Sequence, residues 1–586
     1  MFPNDAQFQL ATHKGVFPYD FVTSSERLQT ASLPTKDAFH NVLSGTDVSD
    51  LDYTHAQKAW DVFHCATLKE YALSYLRVDT CLLADIFESF RFVCLQHYSL
   101  DPAHYITAPS LAWDALLIKT GVRLDLVTDP DIYLFLESAV RGGITNVSRC
   151  HAKANNVYMS SHDPSLPSSY ICYFDVNALY AHTMLDKLPV GNFQWVPKDE
   201  YTSWDFNTID IDGDTSFFAE VDLTFPDDCH DRLSDLPLAP VNGVPPNVRM
   251  SKLLLTLAPR TKYIVHATSL RHYVRYGAVI GQVHRVLRFA QAAWMRDYIA
   301  FNAERRAQAA NPFEKSFFKL LSNSVYGKSL ENTRKHKDIR IASRYDSIYG
   351  AAELIGRPTF KARRIIDESL VLIEMLKGTI TFDRPLYTGV AILYLSKLVL
   401  YDFHYNYMQK KFPPQSLHLL YTDTDSLIYH VVCDNIYDSI RPDLASRFDT
   451  SNYAPGNEQR FPLVNKGVTG VMKDEAAGNV ITEFVGLRPK LYAFKMEDSS
   501  STRKAKEIKA SALRSLLFPQ YLECLLQNSR VLATQHHFRS RGHTVFTERV
   551  TKVALSSGDD KRWLSEDGVS TLPWGHKDLR LSPDHD

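Results

Sequence analysis

The residues of this chain best suited to chemistry are carboxylates at the ends of apolar runs. Residues 421–430 read YTDTDSLIYH, placing Asp423 and Asp425 between an apolar run ending in Leu419, Leu420 and Tyr421 and another beginning with Leu427, Ile428 and Tyr429. That order is strand, polar break, strand: a hairpin with two acids at its tip. Strand alternation is expected to send positions i and i+2 to one side. Asp is also a common turn residue, so a second site is needed to give the pair meaning. Residues 170–182, YICYFDVNALYAH, supply it: an apolar run ends in Asp175 and passes into a sequence able to start a helix. The plainer reading of Asp175 is a helix cap. If the two strand ends converge, Asp175, Asp423 and Asp425 can hold two divalent ions about 4 Å apart, an arrangement suited to in-line phosphoryl displacement. All-oxygen ligation favours magnesium, with manganese as a substitute, over zinc.

A third segment carries the opposite charge. In NPFEKSFFKLLSNSVYGKS, Asn311 can cap a helix with Pro312 at its first position and Glu314 at its third, and Gly327 is expected to end it. Lys315, Lys319, Asn323 and Tyr326 recur at helical spacing and share one face. Two lysines, an amide and a phenol suit a triphosphate with a base stacked beyond it; an amphipathic surface helix is the plainer alternative. Just upstream, Arg305 and Arg306 are placed on a facing helix, able to close the other side of the phosphates.

The elements that must position these groups belong to a long chain. With 586 residues, 45% hydrophobic and 23% charged, it can bury a large core without disulfides, and its 8 cysteines show no paired metal spacing. No apolar run is expected to reach the roughly 18 residues of a membrane span, so the chain reads as soluble and intracellular. Charge is unevenly placed: acids crowd residues 199–235, whereas 236–296 hold only bases, with Tyr263, Tyr273 and Tyr276 among them. That second run can be a solvated face or a nucleic-acid track. Helix is expected over 53–98, 284–332 and 386–411, strands and turns over 167–240, a hairpin within 335–385, an exposed loop at EDSSSTRK (497–504), and a helix over 511–526 before a polar tail.

DVNALY at 175–180, KLLSNSVYG at 319–327 and YTDTDS at 421–426 resemble, in order, the three polymerase motifs of family B DNA polymerases. KLY at 490–492 resembles the lysine-x-tyrosine motif that follows them. The likeness is greatest to the protein-primed branch, and FVGLRPKLYAF and DDKRWLSEDGVSTLPWGH resemble polinton (Maverick) enzymes. RGGI at 141–144 is similar to that branch's glycine-pair motif, although Val140 stands where an aromatic residue is usual in the phage enzymes.

The resemblance implies an α+β right-hand polymerase with a partial ribonuclease H-like exonuclease domain at the amino terminus. It divides the chain into an exonuclease remnant (1–130), palm with an insertion (131–285), fingers (286–335), a second insertion (336–384), palm again (385–495), and thumb with tail (496–586). Asp175, Asp423 and Asp425 would hold two magnesium ions. Arg305, Arg306, Lys315 and Lys319 would bind the incoming dNTP, Tyr180 would stack under the deoxyribose and exclude a 2′-hydroxyl, and Asn323 and Tyr326 would line the nascent pair. Arg141, Gly142, Gly143, Gly327, Lys490 and Tyr492 would contact primer-template DNA. A terminal priming protein is an implied partner, with the enzyme itself a monomer. Of the exonuclease motifs only YLRVD, with Tyr75 and Asp79, has a counterpart. KGVFPYDF at 14–21 resembles sequence lying after the second of them, so a truncated amino terminus without exonuclease activity is expected. Rival readings are a DNA-binding remnant that has lost catalysis and another two-metal enzyme such as a nuclease.

Overall fold

The computed structural model describes residues 5–246, 248–541 and 544–581. Two compact units form: Met1–Thr107 with Glu507–Leu517 and Leu532–Ala554, and Ala108–Lys506 with Phe518–Val531 and Leu555–Asp586.

In the first unit the expected helical run over 53–98 is broken into two helices, Asp50–Val62 and Leu68–Tyr98. The break is local chemistry. His64 takes a positive φ of 52°, and Thr67 then restarts the helix, its hydroxyl accepting from the Glu70 N–H while the Glu70 carboxylate accepts from the Ala66 N–H at 2.6 Å. Phe39, Ala56, Ala59, Cys65, Leu68 and Tyr71 make the core. Among the described residues no strand longer than an isolated bridge forms between 5 and 107.

The second unit is built on an antiparallel sheet whose main path runs Thr145–Val147, Leu417–Asp423, Ser426–Val432, Ser169–Val176, Ile481–Arg488, Leu491–Met496, Ser501–Ala505. The Asp175 strand therefore lies beside one arm of the acidic hairpin, and the Lys490 turn joins the next two strands. Against expectation, 501–504 of the EDSSSTRK segment form a strand, because their backbone pairs with Leu491–Met496. The expected 511–526 helix is two short ones, Ala510–Leu513 of the first unit and Phe518–Leu526 of the second, and where a polar tail was expected a long hairpin of Arg530–Arg541 and Thr544–Ser556 follows, most of it belonging to the first unit.

A second sheet orders Leu188–Trp195, Val279–Ala292, Thr215–Thr224 and Arg260–His266. It overturns one expectation and qualifies another. Residues 284–292 are strand rather than helix, and part of the basic run is paired with the acidic one: Arg285 pairs with Glu220 at 2.9 Å, Arg271 with Asp212 at 3.6 Å, Arg288 with Glu200, and His284 with Asp222 at 2.8 Å. The acidic and basic stretches thus neutralise each other in part across neighbouring elements. Tyr263 and Tyr273 are buried and cannot stack on bases. A third, three-stranded sheet of Asp338–Ala342, Leu370–Met375 and Phe360–Asp367 fills the stretch where a hairpin was expected.

Beneath the sheets runs the helix Leu386–Tyr401, prolonged through a π-helical turn, Asp402–Met408, to Lys411. Contrary to expectation, Leu386–Lys411 is long and apolar enough to cross a membrane, but 83% of its apolar window is buried inside the protein. An all-round apolar helix of this kind is core.

Candidate active site

The 417–432 hairpin closes on a two-residue turn, because Asp423 pairs with Ser426. Thr424 occupies the left-handed region with φ 65°, a conformation costly for a β-branched residue. Asp425 is thus a turn residue, and strand alternation is not what sets its direction. Instead its carbonyl accepts from the Val176 N–H at 2.8 Å, while Ser426 registers opposite Asp175. Chain segments remote in sequence thereby bring Asp175 and Asp425 together. Ala178 (φ 50°) and Lys490 (φ 64°) repeat the left-handed turn beside them. Three non-glycine residues in that region at one place mark a site held in shape by its surroundings.

Electrostatics single out the same acids. Burial, then repulsion from Asp425 and Glu475, lifts Asp175 to about 7 against the opposing charges of Lys473 and Lys319. Burial also raises Asp425, with Asp423 and Glu475 adding to it. Asp423 is held differently: Lys490 Nζ lies 2.7 Å from both its oxygens, and the Thr145 hydroxyl donates to it at 2.9 Å. Half-buried carboxylates that repel one another form a donor set fit for a hard cation. Among the described residues the group of three ligand atoms mutually within 4.8 Å is elsewhere, at Asp231, His576 and Asp578. There the two carboxylates face different nitrogens of the ring, at 3.4 and 3.6 Å, and Lys577 already pairs with Asp231.

The raised Asp175 fixes the sign of a pH effect. Unfolded, this carboxyl titrates near 4; folded, it holds its proton to about 7. Over that window the folded chain binds the extra proton, so the group's contribution to stability falls as pH rises. In chelator, the Tm is expected to be higher at pH 5 than at pH 8, and Asp175→Asn is expected to flatten this slope and raise the Tm at pH 8. An equal slope in both proteins would refute it.

The expected cap is present on the helix Pro312–Ser329: Asn311 Oδ1 accepts from the Glu314 N–H at 2.9 Å, and Glu314 reaches back to the Ala310 N–H at 3.0 Å. Gly327 does not end it. The helix continues to Ser329 because Gly327 keeps helical geometry, and a Cβ there would meet nothing within 4 Å. Phe317, Phe318, Leu321 and Val325 are buried, whereas Lys315, Lys319 and Asn323 are exposed, and among the described residues neither lysine forms an ion pair. Tyr326 stacks on Tyr180, ring centroids 4.1 Å apart and 16° between planes. This stack, with the pull of Lys319 on Asp175, sets the lysine face opposite the acids. Arg305 and Arg306 lie on the adjoining helix Arg296–Gln308, Arg305 close to Glu304 and Phe301.

Two expected DNA contacts are buried instead. The Arg141 guanidinium stacks on Tyr263 at 4.1 Å and donates to the carbonyls of Ala139 and Ile264 and to the Tyr394 phenol; it braces the core, since burying a cation requires such partners. Tyr492 packs on Tyr421, centroids 4.6 Å apart, with its hydroxyl 3.4 Å from that of Tyr173. Gly142 is exposed, and Gly143 touches the acidic turn: a Cβ there would stand 2.7 Å from Thr424 Oγ1. Sequence reasoning missed Glu475 and Lys473, which lie beside Asp175 through the pairing of Met472–Asp474 with its strand; their short MKDE stretch carries no periodic signal. In the first unit Tyr75 meets Tyr19 at 3.1 Å, and Asp79 lies 4.0 Å from Lys14.

A family model described as DNA polymerase type B, organellar and viral, matches residues 4–408. The chain belongs to this family. The polymerase also shares its fold with phi29 DNA polymerase. The structure of that enzyme with primer-template DNA and incoming nucleotide substrates matches at TM-score 0.50 and 14% identity, over 92% of this chain and 79% of that one. The post-translocation binary complex with primer-template DNA matches at TM-score 0.50 and 13% identity over the same shares. No curated protein matches the polymerase.

Proposed function

We propose that the chain is a DNA-directed DNA polymerase that joins a deoxynucleoside monophosphate to a primer 3′-hydroxyl. The 3′-hydroxyl gives its proton to solvent as its oxygen bonds to the α-phosphorus, the bond from that phosphorus to the oxygen shared with the β-phosphate breaks, and pyrophosphate leaves. The observation that carries this reading is the meeting of Asp175 and Asp425 at neighbouring strand ends opposite a lysine face that forms no ion pair among the described residues. Asp175 and Asp425, with Asp423 beside them, would hold two magnesium ions, manganese serving as substitute. When bound, these would lower the charge of the reacting oxygens. The chain's own part is positioning and electrostatics: Lys319 and Lys315, with Arg305 and Arg306, bind the triphosphate; Tyr180 stacked on Tyr326 floors the sugar and base; Asn323 lines the pair; Lys490 steadies Asp423 and the primer end, and Gly142, Gly143 and Gly327 let the DNA approach closely.

On this reading residues 131–285 and 385–495 form the palm, 286–335 the fingers, 336–384 an insertion and 496–586 the thumb with tail. A terminal-protein hydroxyl is a further primer, as in replication of a mobile element, virus or linear plasmid, and the enzyme acts as a monomer. This reading includes no exonuclease activity; of the residues expected to serve it, Asp79 lies 4.0 Å from Lys14 and Tyr75 3.1 Å from Tyr19.

A labelled primer on a template, with magnesium and dNTPs, tests both halves. Extension directed by the template base, without release of mononucleotide when dNTPs are withheld, is expected. A purified, folded chain that never extends favours the inactive remnant, and mononucleotide release abolished by Asp79→Ala restores the exonuclease. In the same assay Gly143→Ala is expected to slow extension about 10- to 100-fold, since displacing the Thr424 turn by a fraction of an ångström misplaces Asp425. Its Tm is expected to change little; unaltered extension would show that the turn tolerates the shift.

A further inference from the structure

The stretch DDKRWLSEDGVSTLPWGH plays no part in the site described above, yet it is tied to the strand that holds the site. Its strands Arg562–Leu564 and Thr571–Pro573 pair into a hairpin. Several contacts fasten this strap. Lys252 holds Asp560 at 2.5 Å, buried Arg562 donates to the carbonyls of Ser234 (2.9 Å) and Thr571 (3.1 Å), the Thr571 hydroxyl donates to the Ser148 carbonyl (2.6 Å), and the Cys150 N–H donates to the Val569 carbonyl (2.8 Å).

Lys561 stands apart from these fastenings. Its Nζ donates to the Thr145 carbonyl at 2.9 Å, and among the described residues it forms no ion pair. A half-buried ammonium spent on a carbonyl is costly unless the field around it compensates; the charges of Asp559, Asp560 and, more weakly, Asp423 favour it, while Lys252 opposes it. Thr145 is the register partner of Asp423, and its hydroxyl donates to Asp423 Oδ1 at 2.9 Å. A threonine has few χ1 choices, so fixing the Thr145 peptide fixes the direction of that hydroxyl.

We infer that Lys561 is a positioning residue for the acidic site: it clamps the Thr145 peptide, whose side chain orients Asp423, so that the C-terminal strap and the carboxylates act as one unit. The inference rests on the polymerase reading above. Because the strap has other fastenings, losing the Lys561 charge is expected to spare folding and impair chemistry.

The test compares wild type, Lys561→Met, Lys561→Arg, Thr145→Val and the double variant Lys561→Met/Thr145→Val in the full chain, by single-turnover extension against magnesium, with Tm and primer-template Kd alongside. Lys561→Met is expected to lower the rate and raise half-saturating magnesium about 10-fold, the usual scale for groups that orient metal ligands, with Tm and Kd near wild type. Lys561→Arg should recover most of the loss. Thr145→Val, which exchanges the hydroxyl for a methyl of similar size, should behave like Lys561→Met, and the double variant should be no worse than either. Wild-type rate and magnesium dependence in Lys561→Met overturn the inference, as do additive losses in the double variant or a loss that follows Tm and is not recovered by arginine. A wild type that does not extend overturns the polymerase reading and this inference with it; an active wild type unaffected by Lys561→Met overturns this inference alone.

Discussion

Asp425→Ala is expected to lower templated extension about 1,000-fold, the scale of losing a principal electrostatic stabiliser of the reacting oxygens, while leaving the protein folded and somewhat more stable. The two effects share one cause. Asp425 is half-buried in a turn whose Thr424 is held at φ 65°, and its charge is among the forces raising Asp175. Truncation removes a carboxylate from a cation site and, without metal, removes a repulsion. Loss of activity with an unchanged or higher Tm in chelator would separate lost chemistry from unfolding. Retention of a tenth or more of the wild-type rate would show that Asp425 is not at the reacting centre. Asp425→Asn keeps the shape without the charge and should fall nearly as far.

Lys319→Ala is expected to raise half-saturating dNTP about 30- to 100-fold, the worth of one charge-assisted contact to a phosphate, with primer-template affinity changed far less. Lys319 is the lysine of its helix whose charge acts on Asp175, and it has no ion pair among the described residues to offset its loss. Lys315→Ala, one turn toward the helix start, should cost less. Steady-state titration of a single dNTP at saturating primer-template measures both. An unchanged requirement for dNTP beside weakened DNA binding would move the lysine face from the triphosphate to the nucleic-acid backbone.

Legibility varied with the range of the interaction that decided each feature. The cap at Asn311, the apolar and cationic faces of its helix, and the hairpin around Asp423 and Asp425 could be read directly, because each depends on neighbours within a turn or two of chain. The continuation of the helix past Gly327 and the break at His64 are also local, but glycine and histidine each tolerate two backbone states, and the choice lies with packing. The charge runs misled for another reason. Acids at 199–235 and bases at 249–296 look like separate surfaces until sheet pairing sets Glu220 beside Arg285. Arg141 and Tyr492 carried the marks of binding residues and are buried, because their partners, Tyr263, Tyr394, Tyr421 and Tyr173, come from distant segments.

By itself the sequence determined which acids and lysines are available, on which kinds of element they stand, and the family to which their order belongs. The tertiary structure alone decided that Asp175 and Asp425 adjoin, that Asp423 is tied to Lys490 and Thr145, that Glu475 joins them, and that Lys561 reaches the same strand from the far end of the chain. The division follows from the physics: a cap or a periodic face is set by bonds a few residues long, whereas a cluster of like charges exists only where sheet register forces it.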